Sequence, residues 1–349
     1  MIGRADIEGS KSDIAMNAWP PQASYPCGNF SDTSCLKPKS TDMNVTYISL
    51  DGLVEIEKYR YFYFFMMLTF YILIVCSNCT IISLIVIHKN LHEPMYIFIA
   101  SLLINSVLFS TNIYPKLLAD FLSNEQVISF QACLLQNMFF YLFGGSEFFL
   151  LAVMSYDRYV SICKPLQYAI IMKKIKAVVF VGLAWGVPVC HLVVPVIRNS
   201  KKELCSFTLT GIFCNNSINY LFCAGLGEQI ISGLIILVNV AILPLLFIIF
   251  TYTKILIVVY KSSRKVRGKA AQTCLPHLLV LINYSCLAIY DVTIVRVESN
   301  LSKTARFIMT LQLIMYTPLC NPIIYGLKMT EIYKHLRKLL CNTRCVSSS

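Results

Sequence analysis

Charged residues are scarce in this chain: they make up 14% of its 349 positions, whereas soluble domains carry about a quarter. Hydrophobic residues make up 56% of the chain, and the mean hydropathy is +0.64. A soluble protein of this length buries a large core without such a depletion of charge. We therefore expect a lipid bilayer to cover much of the apolar surface.

The sequence also lacks the motifs of the common enzyme classes. It contains no H-E-x-x-H, nucleophile elbow, phosphate-binding loop or two-cysteine metal pair, and its five histidines are dispersed. We therefore expect no enzymatic activity, no cofactor and no metal centre. The two halves show no similarity to each other, and charges within the apolar stretches lie mainly at their ends, apart from Glu147. These absences disfavour a transporter or ion channel, which is the alternative function class.

Seven apolar stretches are each long enough to cross a bilayer, for which about 20 residues are needed. They remain apolar around the whole helix circumference, which disfavours core helices of a soluble protein. Weak alternation along the chain disfavours a membrane β-barrel. The sequence therefore predicts an all-α membrane protein built as a bundle of seven transmembrane helices. The predicted spans are 61–87, 95–119, 130–156, 177–197, 226–252, 274–295 and 304–327.

Lysine and arginine residues predict the orientation of the chain. With residues 1–60 placed outside, the inner segments hold 17 basic and three acidic residues, as the positive-inside rule requires. The basic surplus is thus explained by topology, so we expect no nucleic-acid partner. It also suits an anionic inner leaflet and an acidic cytosolic partner. We expect an extracellular tail at 1–60, a helical bundle at 61–327 and a cytoplasmic tail at 328–349.

The amino-terminal tail has no apolar core region of the kind that a cleaved signal peptide requires. Residues 1–42 are rich in Ser, Pro, Asp and Lys, so we expect them to be disordered. Four glycosylation sequons fall in segments predicted to be outside, at Asn29, Asn44, Asn215 and Asn300. A fifth sequon, at Asn78, lies within the first span, where glycosylation is excluded.

Besides Cys27 and Cys35, which could pair with each other in the tail, four cysteines lie on the predicted outer face. Cys133 opens the third span, and Cys205, Cys214 and Cys223 crowd the long loop before the fifth span. A Cys133–Cys223 bridge would hold that loop over the mouth of the bundle. A Cys205–Cys214 bridge is a second possibility, although three loop cysteines allow other pairings.

The third span ends in an acid–base pair. From Cys133 to Arg158 is 25 residues, or roughly 38 Å of helix, so Asp157 and Arg158 lie at the cytosolic mouth of the bundle. A carboxylate and a guanidinium there can hold each other until a partner competes, which makes the pair a candidate switch. Beyond the last span, Cys341 and Cys345 follow a basic stretch, where palmitoylation and free cytosolic thiols are equally good interpretations.

Four motifs occur in order along the chain: "LHEPMY" at 91–96, "MSYDRYVSICKPLQY" at 154–168, "KAAQTCLPHL" at 269–278 and "PLCNPIIY" at 318–325. Together with seven spans, they resemble the rhodopsin-like G-protein-coupled receptors and, more closely, the odorant receptors among them. Their details most resemble the fish branch of that family, which detects water-borne odorants. The resemblance implies a receptor of the plasma membrane of olfactory cilia, with a short amphipathic carboxyl-terminal helix. It also implies a small-molecule odorant as ligand and, as partner, a heterotrimeric G protein of the olfactory stimulatory type that raises cyclic AMP.

The resemblance assigns a switch to two of these motifs. Arg158 would pair with Asp157 at rest and meet the carboxyl-terminal helix of the G-protein α subunit when the third and sixth helices separate. Pro322 removes a backbone hydrogen bond and would permit a hinge, after which Tyr325 would turn inward. The residues assigned to the switch are Asp157, Arg158, Tyr159, Asn321, Pro322 and Tyr325.

By the same resemblance, the odorant would bind in the outer half of the bundle, between the third, fifth, sixth and seventh spans. Two adjacent glycines would leave space there and aromatic rings would provide contact area, although helix packing explains this stretch nearly as well. An aspartate near the outer end of the sixth span would bind an amino group or pair with Arg296. The candidate ligand residues are Asn137, Phe140, Tyr141, Gly144, Gly145 and Asp291.

The chain departs from the family at a position that bears on ion binding. Odorant receptors usually place an aspartate midway along the second span, where it and a third-span acid can hold a sodium ion. Here that position is Ser106, with Asn105 beside it, while Glu147 supplies the third-span acid. We therefore expect any sodium site at Glu147 to be weakened or rebuilt.

Overall fold

The computed structural model describes residues 46–223, 226–294 and 302–346, and within these it leaves out the side chains of 226, 264–267, 269–273, 287, 290–294 and 340–346. The described chain is mostly helical. Its main helices are α1 (Ile56–Ile87), α2 (Pro94–Leu122), α3 (Phe130–Cys163), α4 (Lys174–Asn199), α5 (Leu226–Leu237, a π-helical turn at Val238–Ile242, then Leu243–Tyr260), α6 (Arg264–Ile294), α7 (Lys303–Lys328) and α8 (Thr330–Val346). Short helical turns lie at Lys89–Leu91, Pro165–Gln167, Tyr168–Ile171 and Asn216–Leu221. Each predicted span thus overlaps one of α1–α7, several of which are longer than predicted, and α8 is the amphipathic helix that the resemblance implied.

Burial places α3 at the centre of the bundle. Six helices, α1–α5 and α7, are long and apolar enough to cross a membrane, and among its described residues α6 has a shorter apolar segment, Cys274–Cys286. In the apolar window of α3, 61% of the residues are buried, against 17% in α5. The apolar side chains of α5 must therefore face lipid, whereas those of α3 are covered by protein.

Local sequence explains where several helices begin or change. Pro94 occupies the first turn of α2, where its missing N–H is not needed. Ser129 and Ser302 cap α3 and α7, their hydroxyl oxygens accepting from backbone N–H groups at 3.3 Å and 3.2 Å. In α5, Pro244 lies two residues after the end of the π-helical turn. A proline removes a backbone hydrogen bond, and the wider turn accommodates this loss.

A small sheet covers one end of the bundle, and sequence analysis did not predict it. Its strands are β1 (Tyr47–Leu50), β2 (Val127–Ser129) and β3 (Thr208–Leu209), in the order β2-β1-β3. β1 pairs antiparallel with β2 and parallel with β3. After β1, a Cβ atom at Gly52 would lie 2.3 Å from the backbone of Gly211, so only glycine fits this approach. We call this the sheet end of the bundle and the opposite end the arginine end, after Arg158.

The structure corrects both predicted disulfide pairings. Cys133 is bonded to Cys214 and Cys205 to Cys223, not Cys133 to Cys223 or Cys205 to Cys214. The path of the loop explains the difference. The backbone N–H of Cys214 donates to Gln136 Oε1 at 2.9 Å, one turn along α3 from Cys133. Cys205 and Cys223 instead each follow one residue of the antiparallel bridge between Leu204 and Phe222, and their Cα atoms lie 4.7 Å apart.

Candidate functional site

The arginine end of α3 holds a closed cluster of three polar side chains. Asp157 Oδ2 accepts one hydrogen bond from Arg158 Nε at 3.0 Å and another from Arg158 Nη2. Asp157 Oδ1 accepts a third from the Tyr168 hydroxyl at 2.9 Å. Asp157 is fully buried and Arg158 is 7% exposed. Within the described part of the chain, Arg158 therefore has its hydrogen bonds only with Asp157.

Tyr168 is a member of this cluster that sequence analysis did not assign to the switch. It begins the second of the two short helical turns that follow α3. Burial of its phenol, and after it the charge of Asp157, raise the pKa of Tyr168 above its ordinary value of 10.0. The phenol is therefore protonated at neutral pH and donates to the carboxylate, which it helps to hold beside Arg158.

The amide of Asn321 joins three helices near the middle of the bundle. Its Nδ2 donates to Ser106 Oγ of α2 at 2.9 Å and to Glu147 Oε1 of α3 at 3.0 Å. All three side chains are buried. This hydrogen bond pairs one oxygen of the Glu147 carboxyl group, which has no ion-pair partner among the described residues.

The side chains of Glu147, Ser106 and Asn321 are not arranged to bind a sodium ion in this structure. Glu147 Oε1 and Ser106 Oγ converge on the amide nitrogen of Asn321, which is itself a hydrogen-bond donor. Oδ1 of Asn105 and Oδ1 of Asn321 are buried without a hydrogen-bond partner in the described structure, but these oxygens are uncharged and hold a cation less strongly than a carboxylate does. A serine in place of the family's aspartate also leaves one carboxylate where two would hold the ion.

Pro322 leaves one backbone carbonyl of α7 without its usual partner. The carbonyl oxygen of Pro318, four residues earlier, would accept the N–H that Pro322 lacks. It accepts instead from Asn78 Nδ2 of α1 at 3.0 Å. Asn78 is fully buried within an apolar helix, a position where a polar side chain signals a structural or functional role. That signal was present in the sequence, where Asn78 was weighed only as a sequon.

Tyr325 connects α7 with α6. Its hydroxyl lies 3.4 Å from His277 Nδ1, and both side chains are buried. Closer to the arginine end, Thr251 Oγ1 of α5 donates to Ser155 Oγ of α3 at 3.1 Å. Of the switch residues predicted from the sequence, Asn321 and Tyr325 therefore bond to neighbouring helices, whereas Asp157 and Arg158 bond to each other. No hydrogen bond joins the two groups among the described residues.

At the sheet end, two candidate ligand residues contact the loop that precedes α5. The ring of Phe213 lies 5.1 Å from that of Phe140, and both are buried. Tyr141 accepts a hydrogen bond at its hydroxyl from the backbone N–H of Asn216 at 3.1 Å. One turn earlier, the Asn137 amide nitrogen is buried without a hydrogen-bond partner in the described part of the chain.

The two glycines of α3 do not open space into a cavity. The Tyr284 hydroxyl of α6 donates to the Gly144 carbonyl at 2.6 Å. A Cβ atom at Gly145 would lie 2.4 Å from Val240 of α5 and 3.3 Å from Pro188 of α4. The pair thus permits close helix packing, which was the alternative explanation of this stretch.

Comparison with known proteins assigns the chain to a family. A family model described as "Olfactory receptor" matches residues 66–343. Human olfactory receptor 4E1 is 34% identical over 302 residues, covering 85% of this chain and 93% of the relative. Human olfactory receptor 4K5 is 35% identical over 318 residues, covering 86% and 93%, and human olfactory receptor 2AT4 is 34% identical over 281 residues, covering 79% and 87%.

The chain belongs to the olfactory receptor family. This olfactory receptor is a multi-pass membrane protein, a non-enzymatic G-protein-coupled receptor whose ligands are odorants. Its membership confirms the predicted fold and function class, and the seven-helix bundle is the architecture of the family.

Several predicted sites lie outside the described residues of this olfactory receptor. They are Asn29, Asn44 and Asn300 among the sequons, the Asp291 side chain, and the side chains of Cys341 and Cys345. Asn215 is described and half-buried, and its Oδ1 accepts from the Ser217 N–H at 3.1 Å.

Proposed function

We propose that this olfactory receptor binds a water-soluble odorant in the outer half of its bundle and activates a stimulatory, olfactory-type G protein that raises cyclic AMP. The observation that best supports the proposal is the cluster at the arginine end, in which Asp157 and Arg158 are buried and Tyr168 is half-buried. Its guanidinium has a partner within the receptor and lies at the mouth of the bundle, where a partner protein can compete for it. The fish-like detail of "LHEPMYIF" and "QTCLPHLL" supports a water-borne ligand.

The proposed topology places the sheet end outside the cell and the arginine end in the cytosol. The positive-inside distribution of lysine and arginine supports this orientation. Residues 1–60 are then the extracellular tail, 61–327 the bundle and 328–349 the cytoplasmic tail. Asn29, Asn44, Asn215 and Asn300 would be glycosylated outside, and Cys341 and Cys345 palmitoylated inside. By family resemblance, the receptor resides in the ciliary membrane of olfactory neurons.

The proposed ligand site lies beneath the sheet. Asn137 offers an unpaired amide nitrogen there, and Phe140 and Tyr141 offer aromatic surface next to the Ile212–Phe213 segment of the loop. Because that segment fills space beside Phe140, a ligand would have to displace it or pack against it. Asp291 is proposed to bind an amino group of the odorant.

The proposed switch acts by exchanging the partners of Arg158. At rest, the charge-assisted bonds from Arg158 to Asp157 satisfy both buried groups. Opening of the arginine end would expose the guanidinium to the acidic or carbonyl groups of a G-protein helix. The backbone hydrogen bond that is missing at Pro322, between Asn321 and Tyr325, would let α7 bend without breaking further backbone bonds.

The test is nucleotide exchange by the purified receptor in lipid nanodiscs with a stimulatory olfactory G protein. A screen of amino acids, amines, bile acids and nucleotides is expected to yield ligands that accelerate exchange. Acceleration only with an inhibitory-type G protein would refute the proposed coupling. Ligand-dependent ion current from the receptor alone would favour the channel alternative instead.

A further inference from the structure

A groove separate from the outer ligand site lies between α3, α4 and α5 and opens sideways toward the bilayer. Its volume is about 640 Å³, within the range of about 300–1,000 Å³ that small-molecule sites occupy. Leu243 and Phe247 of α5 line it and are 52% and 42% exposed, so the groove faces the lipid. Toward the arginine end, Tyr156 and Phe180 form an aromatic wall, with ring centres 6.1 Å apart.

Two polar side chains break this apolar lining. His191 of α4 and Asn239 of α5 both line the groove. His191 Nδ1 lies 2.9 Å from the carbonyl oxygen of Val187, which only accepts, so Nδ1 carries the proton. In the neutral ring Nε2 is then an acceptor. Asn239 has no hydrogen-bond partner among the residues that the structure describes. An unpaired amide facing hydrocarbon costs several kcal/mol, so a ligand that pairs with it gains an interaction that lipid cannot supply.

The π-helical turn explains why Asn239 faces the groove. Val240, the next residue, packs against Gly145 of α3. The contact is so close that a Cβ atom added at Gly145 would lie 2.4 Å from the Val240 side chain. With Val240 fixed toward α3, the adjacent Asn239 points to one side of that contact, into the space between α4 and α5. Such turns often mark functional sites in helices.

The depth at which His191 and Asn239 lie in the membrane limits the class of ligand that can bind in the groove. Asn239 lies 13 residues from the start of α5, or roughly 20 Å from its sheet end. His191 lies eight residues from the end of α4, or roughly 12 Å. Both therefore fall within the hydrocarbon, which is about 30 Å thick. Phospholipid headgroups and the hydroxyl of a membrane sterol reside at the interface and do not reach this depth.

We infer that this groove binds a small, uncharged, lipophilic alcohol that enters from the bilayer. Its hydroxyl donates to His191 Nε2 and accepts from Asn239 Nδ2, while its apolar part packs on the aromatic wall. The site is separate from the outer ligand site, and the inference does not rest on the proposed odorant or G protein.

The test is photolabelling of the full-length receptor in nanodiscs with two probes. One is an aliphatic alcohol that carries a diazirine, and the other is the matching hydrocarbon without the hydroxyl. The alcohol is expected to label α4 and α5 peptides that line the groove, and unlabelled alcohol is expected to compete. Asn239→Leu should reduce labelling by the alcohol about tenfold, the effect of losing one buried hydrogen bond. Ile249→Leu, on the exposed face of α5 outside the groove, is the matched control.

Each outcome bears on the inference. Equal labelling by both probes, or equal labelling of the Asn239→Leu receptor, would overturn it. A photoreactive sterol that labels the groove and is not displaced by the alcohol would overturn it as well. If Asn239→Leu fails to fold, Leu243→Trp fills the groove instead. That variant should abolish labelling by the alcohol, and undiminished labelling would again contradict the site.

Discussion

The side-chain amide of Asn78 in α1 donates to the carbonyl oxygen of Pro318 in α7, and so replaces the backbone hydrogen bond that Pro322 cannot make. A proline kink in a membrane helix frees a carbonyl that water cannot reach. Here another helix supplies the missing donor at the point where α7 is able to bend. The contact therefore ties α1 to the hinge region while leaving the hinge intact.

Removal of this donor should destabilise the receptor. In Asn78→Leu, the Pro318 carbonyl is left buried without a partner, which is expected to lower the free energy of unfolding by about 1–3 kcal/mol. The measurement is thermal unfolding of the purified receptor in nanodiscs. Ser77→Ala is the matched control, since the Ser77 hydroxyl donates to the Ile74 carbonyl within its own helix. Equal unfolding temperatures for the two variants would show that the α1–α7 contact contributes nothing.

Arg158→Ala should abolish signalling while leaving most of the receptor at the cell surface. The substitution removes the group proposed to meet the G protein. The buried Asp157 still accepts a hydrogen bond from Tyr168 in this variant. We therefore expect the receptor to fold and to reach the cell surface. Cyclic AMP and surface staining are measured in the same cells. A full cyclic AMP response in this variant would contradict the role assigned to Arg158.

Tyr168→Phe should raise basal signalling, because Asp157 then loses its second partner and holds Arg158 less firmly. A hydrogen bond to a charged group contributes about 1.5–3 kcal/mol, so we expect a several-fold rise in cyclic AMP without ligand. Gln167→Ala, an exposed neighbour, controls for changes in the loop. Because the pKa of Tyr168 is raised, its bond to Asp157 is present at neutral pH and is lost only as pH rises through that raised value. Basal activity of the unmodified receptor should therefore not change between pH 6 and pH 8.

The sequence was sufficient to predict the helices but not most of the contacts between them. Apolar runs of adequate length located α1–α7, since the bilayer requires such runs and leaves few alternatives. The pairing of His277 with Tyr325 depends on how two helices are rotated about their axes, which one sequence does not determine. The strands of the sheet have two to four residues, too few for alternation to be detected.

The disulfide pairing is another feature that the sequence alone could not predict. Three loop cysteines are equivalent by sequence, and only the fold of the loop brings Cys214 to α3. Cys133→Ser and Cys214→Ser should therefore lower surface expression equally, and the double variant should be no worse than either single one. Peptide mapping without reduction tests the pairing directly. Recovery of a peptide that links Cys133 to Cys223 would contradict the structure.

The network around Asn321 predicts how the receptor responds to sodium. Because the Asn321 amide nitrogen already donates to Glu147 and Ser106, replacing sodium with potassium should leave the unfolding temperature unchanged. Ser106→Asp restores a second carboxylate beside the first, and like charges repel unless a cation joins them. That variant should be less stable than the parent in potassium and should recover stability as sodium is added. Ser101→Asp is the matched control for an added buried charge, since Ser101 is buried on the same helix and its hydroxyl donates to the Ile97 carbonyl. Stabilisation of the unmodified receptor by sodium would show that Asn321 turns its oxygen toward a bound ion.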